Sequence, residues 1–357
     1  MKKKTLLLII MIIISIFSLI FVYNDDFLYK EKIIKITNIK KIKEDISINN
    51  LGIKEKYTTK EIKGIITNTK DKGKEITVKY EESYSSVITD KYKINDKVFI
   101  KDNNIKGLKR DFYICIMLII FIISLYLVGN YKGLLSIISV IINTTIFYLG
   151  LLFYFKGANL LIISIIESIL FTTISLFIAE GINKKTNVAV LSTITTSLVV
   201  LIITYIVIKQ TKYSGLNFNE LSFLTVPVED IIIPELFIGI LGASMDVAIT
   251  ISSSISELIS KNPKITNKQL RKSAKEIGKD IMSTMSNVLF FTYICSGLPI
   301  FILAIRNGFS FYNYLTTNIS LEISRFLVGS IGIILTIPIT TYLSIKIYKE
   351  VSKWILF

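Results

Sequence analysis

The chain has no histidine, one tryptophan, five prolines and two cysteines, Cys115 and Cys295, in 357 residues. Without histidine there is no Ser-His or Cys-His nucleophile pair, and without clustered Cys/His ligands there is no structural zinc site. Two cysteines, both inside apolar runs, are too few for a disulfide framework. Arginine is almost missing: Arg110, Arg271, Arg306 and Arg325 stand against 38 lysines. Charge is scarce too, at 19% of residues, while 51% are hydrophobic and mean hydropathy is +0.58. That balance excludes a soluble globular enzyme. The net charge of +15 is no nucleic-acid footprint, because the lysines fall in one polar stretch and around the ends of apolar runs.

Those runs dominate what is present. A helix crossing the hydrocarbon core needs about 20 apolar residues. Eight segments qualify: 5–23, 112–129, 133–155, 159–180, 187–208, 232–257, 282–305 and 323–346. Lys2, Lys3 and Lys4 precede the first run, and no small-residue cleavage site follows it, so it reads as an uncleaved anchor, with a cleaved signal segment as the alternative. With eight spans and a cytoplasmic N-terminus, the cytoplasmic segments hold 16 basic residues and the short external segments five. The positive-inside rule then places both termini in the cytoplasm and the protein in the cytoplasmic membrane.

Residues 24–111 differ in kind. They hold 21 basic and 15 acidic residues, net +6. Glu61–Ile66, Glu75–Tyr80 and Lys97–Ile100 alternate or carry β-branched side chains, with Asp71-Lys72-Gly73 and Asn95-Asp96 as turn signals. The expectation is an extracytoplasmic antiparallel β domain between spans one and two, barrel-like in outline. Its lysine surface is read as solvated rather than as a polymer-binding face. The organisation is therefore 1–23 anchor, 24–111 β-rich domain and 112–357 seven-helix bundle: an all-α membrane bundle with a small β domain.

An ionisable group at mid-bilayer costs roughly 2.5–3.5 kcal/mol, so each one needs a reason. Glu167 sits in the middle of span four. Asn143, with Thr144 and Thr145, sits in span three, within reach of pairing across the bundle. Either they relay protons or cations, or they are interhelical hydrogen-bond glue. Span six carries Gly239, Gly242, Ala243, Asp246, Ser253 and Ser256 at helical spacing. Its small residues predict close helix approach, with Asp246 buried at the contact. Span seven and the residues before it carry Asp280, Ser283, Thr284 and Asn287 at i, i+3, i+4 and i+7, opposite Val288, Leu289, Phe290 and Phe291. Two carboxylates with hydroxyls and an amide can coordinate a hard cation, pass protons, or merely knit a hairpin.

The loop from Lys261 to Lys279 has seven basic residues and is expected against anionic headgroups. Thr266-Asn267-Lys268-Gln269 matches a capping box. Pro234, Pro299 and Pro338 mark kinks or boundaries. Glu322 and Arg325, near Asn318, are spaced to pair. The segment 209–231, with Glu220, Glu229 and Asp230, reads as an external amphipathic lid.

The stretches Gly239-Ile240-Leu241-Gly242-Ala243-Ser244-Met245-Asp246-Val247-Ala248 and Ile277-Gly278-Lys279-Asp280-Ile281-Met282-Ser283-Thr284-Met285-Ser286-Asn287 resemble the YibE/F family. Asn183–Ala189 and Gly329–Pro338 add to the resemblance. Lys279 stands where the family has Arg, and Ser283 where it has Gly. The resemblance implies one anchor, an external domain and a multi-helix bundle, with Gly239, Gly242, Ala243 and Gly278 at helix contacts. It does not imply an activity.

The best reading is a permease or ion-coupled transporter with Asp246, Asp280 and Asn287 at its central site, Ser283 and Thr284 beside them, and Glu167 as proton carrier. The alternative is a non-transporting envelope factor whose external domain binds a partner or polymer. An intramembrane enzyme lacks a nucleophile and base. No metal and no cofactor is expected, and no nucleic acid. The expected partners are the lipid bilayer, a small solute or ion, and a second copy or second membrane subunit.

Overall fold

A computed structural model describes residues 2–48, 52, 54–86, 89–213, 216, 218, 227–317 and 319–354. Contacts divide the chain into two units, residues 1–130 and 131–357.

In the first unit, helix α1 (Lys2–Asn24) is a nearly unbroken Leu/Ile/Phe run and ends in a 3-10 turn, Asp25–Leu28. Five strands follow: β1 (Lys32–Ile48), β2 (Lys54–Ile66), β3 (Glu75–Ser83), β4 (Lys97–Lys101) and β5 (Asn104–Leu108). They form one antiparallel sheet in the order β3-β2-β1-β4-β5. The expected turns are where the sequence put them. Gly73, with φ of 91°, closes the β2–β3 connection and donates its N–H to Ile66 O at 2.9 Å. Asn95 takes a positive φ just before β4.

Alternation buries Ile34, Ile36, Ile62, Val78, Val98 and Ile100 on one face, with Tyr92 packed among them. Gly64 is a steric requirement: a Cβ there would stand 2.8 Å from Lys35 O and 2.9 Å from Ile34 Cδ1. Asn68 satisfies the chain where it enters the sheet. Its Oδ1 accepts from Ile33 N at 2.8 Å, and its Nδ2 donates to Glu31 O at 2.7 Å and Tyr29 O at 3.1 Å.

Helix α2 runs from Asp111 to Phe155 and contains one non-helical residue, Asn130, at φ 51° and ψ −132°. Residues 112–129 and 133–155, expected as two separate spans, lie in two helical stretches that meet at Asn130, the one residue with non-helical angles. Counted with those two stretches as one 45-residue element, seven helices among the described residues are long and apolar enough to cross a membrane. Gly129-Asn130-Tyr131-Lys132-Gly133 has no proline, and the helical angles are lost at Asn130 alone.

The second unit adds α3 (Leu160–Glu180), α4 (Lys184–Gln210), α5 (Glu229–Lys261), α6 (Asn267–Arg306), α7 (Phe311–Thr317) and α8 (Ser320–Trp354). Caps mark several starts. Asn159 and Asn183 accept from the first-turn amides of α3 and α4, and Thr266 with Gln269 forms the predicted capping box of α6. Helix α8 is the hub. It packs on α4, α5 and α6, while α5 packs also on α3 and α4. Val247, Ile251, Ile255, Leu270, Ala274 and Ile333 are a common core for α5, α6 and α8. Ser252 ties three helices: its Oγ donates to Lys185 O at 2.8 Å and lies 2.6 Å from Tyr348 Oη. Asn318 and Glu220 lie outside the described residues, as does about half of the lid expected at 209–231.

Candidate functional site

Helix α5 is built with two unlike faces. Ile233, Phe237, Ile240, Val247, Ile251 and Ile255 are buried against its neighbours. Glu235, Gly239, Gly242, Asp246, Thr250, Ser253 and Glu257 recur at steps of three or four, and each is exposed or half-buried. Every one is polar or glycine. The stripe is about 33 Å long at 1.5 Å per residue, close to the thickness of a bilayer's hydrocarbon core.

Asp246 is therefore exposed, not buried at a helix contact as its small-residue surroundings suggested. The packing explains this. The close approach on α5 is made one face round, where Gly332 of α8 meets Ile240 and Ser244. Gly242 meets nothing within 4 Å, and Ala243 is only half-buried at the edge of the core. Gly239 does face α6: a Cβ there would stand 3.2 Å from Tyr293 Oη. Gly278 is buried as expected, but against Ile337 of α8 rather than against α5.

Helix α6 repeats the pattern. Ile281, Met282, Met285 and Leu289 pack into the core shared with α8. Asp280, Ser283, Thr284 and Asn287 are exposed. Thr284 Oγ1 donates back to Ile281 O at 3.0 Å and Asp280 O at 3.2 Å. Asp280, Thr284 and Asn287 continue, at helical repeat, the line of Ser273 and Ile277, which share a cavity of about 610 Å³ with Ser254, Glu257 and Lys261 of α5. Among the described residues no hydrogen bond or ion pair joins Asp246 to Asp280. The two carboxylates are separate, exposed groups on α5 and α6.

The opposite end of the α5 stripe opens into a second cavity, of about 650 Å³, to which α2, α3, α5, α6 and α8 all contribute. Four charged side chains converge there: Glu167, Glu235, Glu322 and Arg325. Arg325 donates from one guanidinium nitrogen to Glu322, the expected partner three residues away, and from the other to Glu235 on α5. Tyr293, Thr292 and Ser296 add hydroxyls.

Glu167 stands apart from that network. It is 5% exposed, and its Oε1 has no hydrogen-bond partner. It does not pair with Asn143, which donates instead to Ser175 Oγ at 2.6 Å. Gly150 of α2 makes its position possible, because a Cβ at that position would overlap the Glu167 carboxylate.

Two groups were missed in the sequence. Glu235 follows Pro234 in the first turns of α5 and reads there as an interfacial acid. Nothing local points to a partner 90 positions away. The second is a set of buried hydroxyls on the mutually packed helices α4, α5 and α8. Thr193, Thr196, Ser244, Thr340 and Ser344 have no hydrogen-bond partner, although most neighbouring hydroxyls bond back along their own helix. Their spacing inside apolar runs was the available signal.

The profile of the YibE/F-like protein matches residues 117–350, and that of the YibE/F family N-terminal domain matches residues 27–111. The chain belongs to the YibE/F family. No curated protein and no solved structure matches it. In this YibE/F protein the G-A-S-M-D-V-A motif of α5 carries the exposed Asp246 between two buried core positions, Ser244 and Val247. The I-G-K-D-I-M-S-T-M-S-N motif of α6 places Gly278 inward and Asp280, Ser283, Thr284 and Asn287 outward. Lys279, in place of the family's Arg, pairs with Glu276 at 3.0 Å on the exposed side. Ser283, in place of Gly, is exposed, so it crowds no helix contact.

Proposed function

We propose that this YibE/F protein is a multi-pass protein of the cytoplasmic membrane that works as a permease or ion-coupled transporter. Its solute or ion would travel along the polar face of α5. One observation carries the reading: a stripe of seven polar or glycine positions runs about 33 Å along α5, with a cavity at each end. A helix that merely anchors a domain gains nothing from carboxylates along its length, and each is expensive in hydrocarbon. A conduit needs them.

The positions of the basic residues, 16 against five, support termini in the cytoplasm. That orientation requires α2 to cross twice, reversing at Asn130. In this reading Asp246 of α5, with Asp280, Thr284 and Asn287 of α6, forms the central site. Glu167 stands at the outer end, and Asn143 and Ser283 are accessory. The reading assigns no chemical step to the protein.

The test is flux. The protein is reconstituted into liposomes holding a pH-sensitive dye, and proton, sodium and potassium gradients are imposed in turn. Substituting Asn for Asp246 is expected to lower the rate roughly tenfold or more, as loss of a group acting along the path would. Flux that never depends on Asp246 or Asp280, for any gradient, sinks the reading.

The envelope-factor reading also has an observation in its favour. Ile42, Ile46 and Ile48 are 51%, 66% and 59% exposed on the outer half of β1. An apolar edge of that kind is a surface for a partner. Removing residues 30–105 while insertion stays intact separates the two: flux that survives favours the permease, and loss of cellular function with flux intact favours the partner.

A further inference from the structure

The cavity beneath Glu167 is chemically lopsided. Three carboxylates face it against one guanidinium, and Arg325 is occupied by Glu235 and Glu322. Glu167 is left with no cation. It is 5% exposed, its Oε1 is unpartnered, and it forms part of the cavity wall. A buried carboxylate without a partner is costly, and a positive ligand would remove that cost.

The remainder of the wall decides what kind of cation fits. Phe147, Leu151, Ile163, Ile231 and Ile238 are apolar. A bare metal ion such as calcium takes about six to eight oxygen ligands, and no group of three or more metal-ligating side chains exists among the described residues. A volume of about 650 Å³ falls within the range of roughly 300–1,000 Å³ that holds small organic ligands. Gly150 has no Cβ to displace the carboxylate from this wall.

We propose that this cavity binds a monovalent lipophilic organic cation, with Glu167 as its counter-ion and the apolar wall holding its body. This deepens the permease reading by naming a substrate class for the outer end of its path, and it rests on that reading only for the step of transport.

The probe is radiolabelled tetraphenylphosphonium, and the measurement is equilibrium dialysis against the full chain in detergent micelles. Saturable binding is expected, and Glu167→Gln should weaken it about tenfold or more, the scale of removing one partner of a buried charge pair. Glu167→Asp, which keeps the charge, should retain binding within a few-fold. Ile238→Trp, which fills the cavity and leaves the charge, should abolish it. A neutral competitor, triphenylphosphine oxide, should displace the probe poorly. Thermal melts of each variant identify any that fail to fold, and the folded ones decide.

Equal binding by the wild type and Glu167→Gln, or equal displacement by the neutral competitor, overturns the proposal. Binding that needs Glu167 with no tetraphenylphosphonium flux in liposomes keeps the site and sinks the permease. Asp246-dependent flux with no Glu167-dependent binding does the reverse.

Discussion

Arg325 of α8 donates a hydrogen bond to Glu235 of α5, and the two residues are 90 positions apart in sequence. Its other guanidinium nitrogen holds Glu322, so one arginine, of only four in the chain, sits between two carboxylates. Replacing Arg325 with Met would leave both acids facing each other in a mostly apolar cavity. The expected loss is about 3–5 kcal/mol, the scale for an uncompensated buried charge. Thermal unfolding in detergent reads it. Adding Glu235→Gln to Arg325→Met should recover part of the loss, because one of the stranded charges is gone. A single Arg325→Met variant that melts with the wild type contradicts the geometry.

Glycines in α5, α6 and α8 divide into two kinds. A Cβ at Gly332 would stand 2.5 Å from Ile240 Cγ2, and one at Gly278 would stand 2.6 Å from Ile337 Cγ2. Alanine at either should destabilise by about 1–3 kcal/mol through overpacking. Alanine at Gly242, which meets nothing within 4 Å, should be neutral or stabilising by roughly 0.5–1 kcal/mol, because helical alanine loses less entropy than glycine. Melting temperatures of the three variants should therefore split two against one.

Lys109, just after β5, is 5% exposed, and its ammonium is shared by Asp25, by Asp111 at 3.0 Å and by Asp26 at 3.2 Å. Lys97 also holds Asp26, at 2.7 Å. Burial alone would lower the Lys109 pKa, but hydrogen bonds from Lys109 to Asp25, Asp111 and Asp26 outweigh it and raise the pKa above the ordinary lysine value. A raised lysine contributes stability that is complete below its unfolded pKa and fades only as pH rises through the folded one. The contribution is thus fully present at neutral pH. Lys109→Met should cost about 3–5 kcal/mol by taking the cation from Asp25 and Asp111 and leaving Asp26 to Lys97 alone, read as loss of the sheet's amide protection in hydrogen exchange on the full chain. Unchanged protection would refute it.

Asp71 behaves in the opposite sense. Hydrogen bonds from Lys32 and Lys74, at 2.7 and 2.8 Å, pull its carboxyl down to about 2. A depressed acid contributes stability above its unfolded pKa of 3.8 and loses it as pH falls toward 2. Asp71 is half-buried but its two lysines are exposed, so solvent screening keeps the effect small. Asp71→Asn should flatten the fall in melting temperature between those two pH values, because the variant melts slightly lower at neutral pH and converges with the wild type near pH 2. An identical acid profile for wild type and Asp71→Asn would rule it out.

Local chemistry was legible in the sequence. The Thr266 capping box, the Gly73 and Asn95 turns, the strands around Ile62, Val78 and Val98, and the Glu322–Arg325 pair all lie within a few residues of the signals that announce them. The polar stripes of α5 and α6 were legible as stripes. What they face was not. Asp246 looked like a buried contact because its neighbours are small, yet the small residue that matters is Gly332 on another helix. Spans 112–129 and 133–155 read as separate because charge and glycine interrupt the apolar run, and the helical angles are lost there at one residue, Asn130.

The division has one physical cause. Hydrophobic transfer, capping and turn preference are sums over neighbouring residues, so the sequence by itself determined which segments are apolar helices, where the sheet begins, and which polar residues share a helical face. The rotation of each helix about its own axis is not such a sum. It is decided where Gly278 and Gly332 admit Ile337 and Ile240, and that packing turned Asp246 and Asp280 outward. It also brought Glu235 to Arg325, and it left Glu167 in a cavity without a partner.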